Sequence, residues 1–317
     1  MERAKAFPLP LLAFLVLHWQ ISVFFQSFFL HRYATHRMFT MNRGWERFFH
    51  LCTYLAQGPS YLRPEAYAVL HRTHHAYADA PGDPHSPKVH GSLWRMMWMT
   101  KRNFEDISQR GIIREPRFAG NVPVWESLDT WGGSRVSCLL WMAAYTTFYA
   151  CFATAWWQYL LLPVHFLMGP IHGSIVNWFG HWSGYRNYET EDESRNSLVI
   201  DVLTCGELYQ NNHHRFPGDP NFAKRWFELD LTYPAIRCCA WLGILQLRKA
   251  ERARTSGGLD LVRPDLKLLE YVGAEGGADR DVRGVSTARD QNASDAGRVE
   301  AGVERVPTTV QIGLEPA

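Results

Sequence analysis

Two stretches of this chain carry no charge at all, and their lengths set the first expectation about the fold. Residues 6–30 and 136–185 contain no Asp, Glu, Lys or Arg and are filled with Leu, Phe, Trp, Tyr and Ala. A helix needs about 20 apolar residues to cross a hydrocarbon core of roughly 30 Å. The first stretch predicts one spanning helix over residues 7–30, with His31 at its end. The second is long enough for two arms, 136–155 and 157–180, turning at Ala155-Trp156-Trp157, with Pro163 and Pro170 placed to kink the second arm. The expected fold class is an all-α integral membrane protein of about three transmembrane helices plus interfacial helices.

Residues 45–62 are harder to place. Their uncharged part, 48–62, has only 15 residues and includes Gly58-Pro59. If it crossed, the histidines before and after it would stand on opposite faces of the bilayer, so it is expected to be interfacial or half-buried. Residues 78–88 form a Pro/Gly-rich turn. Residues 92–110 read as amphipathic, with Trp94, Met97 and Trp98 set against Arg95, Lys101 and Arg102. The last 46 residues, 272–317, contain no aromatic residue and are rich in Gly, Ala, Val and charge. Such a segment buries too little apolar area to order itself. The expected organisation is a membrane domain with a cytoplasmic helical cap over residues 1–250, then a disordered tail over 251–317.

Composition adds the orientation. The mean hydropathy of −0.24 averages an apolar body with a polar tail. A net charge of +2, with no basic face interleaved with aromatics, points to no nucleic-acid partner. The six cysteines form no C-x-x-C pair and read as buried or lipid-facing thiols. The first apolar run is too long for a signal peptide and has no small-residue cleavage site, so it is read as retained. Nearly all Lys and Arg fall on the side that the 136–180 hairpin leaves and rejoins. By the positive-inside rule that side is cytoplasmic, in a multi-pass protein of a bacterial plasma membrane; Arg3 and Lys5 alone dissent.

The chemistry sits at the membrane exits. Of 14 histidines, eight fall in four groups: His31 with His36, His71 with His74 and His75, His181, and His213 with His214. Imidazole is a common ligand for Zn, Cu, Fe and Ni, so ligand type alone does not choose the metal. Positions i, i+3 and i+4 share a helix face, so His71, His74 and His75 can converge. His31 and His36 stand about 140° apart on an α-helix and would aim at different points, which suits two ions better than one.

The order H-x-x-x-x-H, H-x-x-H-H, N-x-x-x-H and x-x-x-H-H resembles the membrane fatty-acyl desaturases, closest to the stearoyl-CoA (Δ9-type acyl-CoA) branch. The likeness runs from about residue 20 to 245 and includes Asp83-Pro84-His85, Gly184-Tyr185-Arg186, Ser194-Arg195-Asn196, Gly206-Glu207 and His213-His214-Arg215-Phe216-Pro217. The resemblance implies an O2-dependent enzyme that inserts a cis double bond at a pair of non-haem irons. By residue match, His31, His71, His74 and His213 would hold one iron, and His36, His75, His181 and His214 the other, with Asn177 acting through a water. No His-Pro-Gly-Gly haem motif is present, so electrons would come from a separate ferredoxin, rubredoxin or cytochrome b5-type donor.

The resemblance has gaps. Gln210 stands where the animal enzymes usually carry a His, as a weaker ligand or a structural substitute. Residues 1–30 allow one span before the first histidine pair where the animal enzymes have two. Lys101 and Arg102 look like the basic pair that meets CoA phosphates, but Val69 replaces an expected Arg, which leaves acyl-CoA against acyl-lipid open. Trp19, about 18 Å along the first helix from His31, is expected near the end of the acyl tunnel. Two rivals remain at this stage: a di-iron hydroxylase on the same scaffold, and a non-enzymatic membrane metal-binding relative.

Overall fold

The computed structural model describes residues 8–248; the expected tail lies outside the described residues. Helix α1 (Leu9–Phe25) begins behind Pro8 and Pro10, where a missing N–H is harmless. It runs on without a break as a π-helix over Gln26–Thr35. The expected stop at residue 30 is therefore overturned, and His31 lies inside the helix. Leu9–Thr35 is long and apolar enough to cross a membrane.

A short strand β1 (Phe39–Met41) leads into α2 (Arg43–Gln57), whose first turn is capped by the Asn42 side chain accepting from the Trp45 amide at 3.0 Å. At about 22 Å, α2 is shorter than a bilayer core. Its Phe49, His50, Thr53 and Tyr54 are buried, while Phe48, Leu51 and Leu55 form an exposed apolar stripe. It ends at Gly58, whose φ of 53° and contact with the Tyr145 hydroxyl leave no room for a Cβ.

Next come α3 (Pro64–Tyr77), the single turn α4 (Pro87–His90) and α5 (Leu93–Arg110). Helix α5 forms where the amphipathic segment is expected. Trp94 and Trp98 are exposed rather than packed inward, Lys101 lies over the Trp98 ring at 5.7 Å, and Met96 and Ile107 make the buried face.

Helices α6 (Glu126–Gly132) and α7 (Arg135–Phe152) precede a 3-10 turn, α8 (Leu162–Phe166) and α9 (Met168–Trp182). The chain bends by 70° between α8 and α9. Pro170 explains the place. It has no N–H for the Phe166 carbonyl, and its ring would strike that carbonyl in a straight helix. The bent pair Trp156–Phe166 with Met168–Trp182 is long and apolar enough to cross a membrane only as one broken span, so the described residues hold one or two candidate spans where three were expected.

Helices α10 (Gln210–Arg215) and α11 (Thr232–Trp241) and strand β2 (Leu245–Leu247) complete the fold. β2 pairs antiparallel with β1, Phe39 opposite Leu247 and Met41 opposite Leu245. Beneath this pair lies the largest apolar cluster, with Phe28, Phe29, Phe39, Phe49, Tyr209, Phe222 and Ile236. It locks the π-helical segment to the C-terminal elements, and so brings the first and last histidine groups together.

Candidate metal centre

The π-helix decides where the first histidine pair points. The His36 amide donates to the His31 carbonyl at 3.2 Å, an i→i+5 bond. In such a ladder residues five apart lie one above the other, and the His31 and His36 ring centroids are 5.0 Å apart. The divergence expected from α-helical spacing does not occur. Helix α3 does divide its set. His71 and His75 face one way, with Nε2 atoms 3.0 Å apart, and His74 faces another.

Two groups result. His31, His36, His71, His75 and His213 have ligand nitrogens all within 4.8 Å of one another, and so do His74, His181 and His214. These groups differ from the partition implied by the resemblance. His74 leaves the company of His31, and His36 and His75 join it. Neighbours on a helix stand about 100° apart, so His74 and His75 were bound to separate, but only the packing shows which partner each meets.

The donor chemistry asks for cations. His75 Nε2 faces His71 Nε2 at 3.0 Å and His213 Nε2 at 2.9 Å, His31 Nε2 faces His213 Nε2 at 3.0 Å, and His74 Nε2 faces His214 Nε2 at 3.2 Å. A neutral imidazole has one N–H, and Asp83 and Asp192 hold that proton on Nδ1 of His74 and of His214, so their facing Nε2 atoms are two lone pairs that cannot satisfy one another. The buried Nε2 atoms of His36 and His181 have no partner among the described residues. Metal ions would use all these lone pairs at once, and the residues fit such ions.

Carboxylates hold the rings from behind. Nδ1 of His74 meets Asp83 at 2.9 Å, Nδ1 of His181 meets Asp79 at 2.7 Å, and Nδ1 of His214 meets Asp192 at 2.6 Å. In the larger group only His31 has such a partner, Glu207. This contact puts the proton on Nδ1 and the lone pair on Nε2, as metal ligation requires. Sequence reasoning did not assign these acids. Asp83 and Glu207 lay within motifs it quoted, while Asp79 and Asp192 come from loops whose approach no spacing encodes. His85, outside the four groups but within the Asp83-Pro84-His85 motif, is buried with both ring nitrogens unpartnered among the described residues and its centroid 4.6 Å from His74.

Electrostatics differ between the groups. Burial, then neighbouring imidazoles, pushes His36, His71, His75 and His213 well below the ordinary value near 6.5. Burial also pushes His74 down, but Asp83, then Asp79 and Asp192, more than offset it and leave His74 raised. Burial would raise Asp79, yet the His181 hydrogen bond holds it down to about 2.

A histidine depressed in the folded state takes up its proton only on unfolding once pH drops under its unfolded value. The metal-free protein is thus expected to lose stability as pH falls below about 6.5, with a thermal midpoint lower at about pH 5.5 than at about pH 7.5. His74 acts with the opposite sign, its contribution lost as pH rises through its raised value, but it is one ring against four. A midpoint that stays level or climbs on acidification would refute this.

The remaining candidates lie around the groups. Asn177 stands one turn before His181 on α9 and makes no hydrogen bond among the described residues. Gln210 is buried at the start of α10, its amide nitrogen donating to the Glu207 carbonyl at 2.7 Å. Its Cγ lies where a side chain on Gly180 would fall. Gly180→Ala is therefore expected to cost about 1–3 kcal/mol by overpacking, read as a lower thermal midpoint. Lys101 and Arg102 are both exposed on α5, and Lys101 pairs with Glu105 at 2.5 Å. Val69 is buried in the α3 core. Trp19 Nε1 donates to the Leu203 carbonyl at 2.8 Å, and its ring meets His172 edge-on at 4.3 Å.

The described residues thus join a helical body with a candidate membrane span to histidine groups that could hold metal. The comparisons make this specific. The family model for fatty acid desaturase matches residues 6–240, and the chain belongs to that family. It is therefore an oxidoreductase of the desaturase type. It is 28% identical to the sn-1 stearoyl-lipid 9-desaturase of Anabaena variabilis, over 73% of this chain and 80% of the relative. It is 27% identical to the hex-5-enoyl-[acyl-carrier protein] acetylenase of Moorena producens, over 70% of each. The acyl-CoA C20 Delta5-desaturase of Anemone leveillei is 28% identical, over 70% of this chain and 68% of its own length.

Proposed function

We propose that the chain is an O2-dependent desaturase that converts a methylene pair of a saturated acyl chain into a cis double bond, of Δ9 type and on acyl-CoA. The convergence of eight imidazoles into two adjacent groups carries this reading. One iron would be held by His31, His36, His71, His75 and His213, and the other by His74, His181 and His214, with Asn177 acting through a water. When bound, non-haem iron with open positions supplies the oxidising power that an unactivated methylene demands. The balance is one O2, two electrons and two protons taken up, and two hydrogens lost from the chain, with two waters released.

The protein's own part is positioning. Asp79, Asp83, Asp192 and Glu207 fix the ring tautomers and orientations. The apolar helices hold the chain extended and keep water from the reacting carbons. Ferredoxin, rubredoxin or a cytochrome b5-type protein would bring electrons to the cytoplasmic face of a multi-pass protein in a bacterial plasma membrane. The relatives named above are described with three acyl carriers, lipid, carrier protein and CoA. Exposed Lys101 and Arg102 favour the CoA phosphates for this chain.

Trp19, pinned at Leu203, would close the tunnel. Trp19→Ala is expected to shift the products to longer chains, read by gas chromatography of the unsaturated acids. The function itself is tested by expression in cells that lack a desaturase, with mass spectrometry of total lipids. Loss of two hydrogens at one position supports desaturation, gain of an oxygen would make the chain a hydroxylase, and unchanged lipids would leave a metal-binding protein.

A further inference from the structure

Away from the histidine groups, the interface of the first helix and α9 holds polar groups that no described residue satisfies. Ser22 and His172 are 0% exposed and Gln26 is 5% exposed. Ser22 Oγ, Gln26 Oε1 and both ring nitrogens of His172 are buried without a hydrogen-bond partner. The residues lie together. The Trp19 ring meets His172 at 4.3 Å, and Gly173 lies against the Gln26 amide, where a Cβ would stand 3.7 Å from Nε2. Ser22 and Gln26 are four residues apart, on one helix face between these two contacts.

Their level in the molecule bears on their use. Ser22 precedes His31 by nine residues, and His172 precedes His181 by nine. Both therefore sit about 13 Å along their helices from the metal ligands. Gln26 connects the two regions, because it faces the hydroxyl of Tyr67, whose ring stacks on His71 at 6.1 Å.

We propose that Ser22, Gln26 and His172 form a hydrogen-bonding subsite for a hydroxyl group carried on the acyl chain, so that the substrate is a hydroxylated chain rather than a plain one. The proposal deepens the desaturase reading and rests on it for the acyl nature of the ligand. A plain chain would leave these buried groups without partners, an unfavourable state in an apolar interior. The donor inventory selects a hydroxyl. Gln26 Oε1 and the unprotonated ring nitrogen of His172 can only accept, so the ligand must donate to one of them. Ser22 O–H and one His172 N–H can donate in return to the hydroxyl oxygen. A ketone offers no donor, and a methylene offers neither.

The test uses the full chain, purified in detergent with its metal, and the thermal midpoint titrated with stearic acid and with monohydroxystearic acids substituted at successive carbons. One isomer, or two adjacent ones, should bind about 10- to 100-fold more tightly than stearic acid. Ser22→Ala should reduce that preference, and Ser22→Ala with His172→Phe should remove it. Ser22→Ala deletes a single oxygen and keeps the question decidable if the double variant fails to fold. Equal binding along the whole series, or a preference that survives Ser22→Ala undiminished, would overturn the subsite and leave ordered water as the occupant. Feeding the same acids to expressing cells separates the two readings. Double bonds in stearic acid with no advantage for any hydroxy acid sink the subsite alone, whereas tight hydroxy-acid binding with no double bond in any chain sinks the desaturase reading.

Discussion

Replacing His213 by alanine is expected to abolish product formation and to lower iron from two atoms per chain toward one. His213 is 0% exposed, and its Nε2 lies 3.0 Å from that of His31 and 2.9 Å from that of His75. It is thus the member of the five that joins the helix-borne pairs from the other side. Loss of a partner behind a ligand already costs about 10- to 100-fold in metal affinity, and a direct ligand is worth more. The measurement is iron per chain by atomic spectroscopy beside lipid analysis. Because His74, His181 and His214 form a separate group, their iron should persist. Two irons retained in the variant would show that the five histidines are not a metal site.

Arg32→Met is expected to be the most destabilising single change outside the ligands. Arg32 is fully buried, with Nη2 2.8 Å from Asp230, Nη1 3.6 Å from Glu207, and its guanidinium 4.0 Å above the Phe222 ring. Methionine would fill the volume but leave two buried carboxylates without their cation. Breaking a buried pair in this way costs about 3–5 kcal/mol. Burial already pushes Asp230 up against the pull of Arg32, so the variant would drive it further toward the neutral form. Glu207 also holds His31, so the metal group should loosen with the fold. The thermal midpoint and the yield of folded protein read the effect. Arg117, exposed beside Glu115, is the control, where loss to alanine should stay within about 0.5 kcal/mol.

Much of this architecture is legible in the chain before any coordinate is drawn. Charge-free runs mark membrane-seeking segments because a bilayer core penalises charge and unpaired backbone in every context. Pro170 marks the break between α8 and α9 because its missing N–H is a local property. The i, i+3, i+4 spacing of His71, His74 and His75 places three imidazoles on neighbouring turns of one helix. Each of these signals belongs to a few neighbouring residues, which is why sequence alone determined them.

The tertiary structure decided the rest. The angle between His31 and His36 depends on whether the ladder is i→i+4 or i→i+5, and the packed surroundings of Gln26–Thr35 choose the latter. Which histidine joins which group depends on where α9 and α10 dock against α3. Two of the carboxylates behind the rings come from far along the chain, Glu207 at 176 residues from His31 and Asp79 at 102 residues from His181, pairings that no local period encodes. The same holds for Ser22, Gln26 and His172, each an unremarkable residue on an apolar helix until α1 and α9 close over it. Sequence thus named the histidines that could hold metal, and long-range packing settled their grouping, the carboxylates behind them and the unpartnered polar groups nearby.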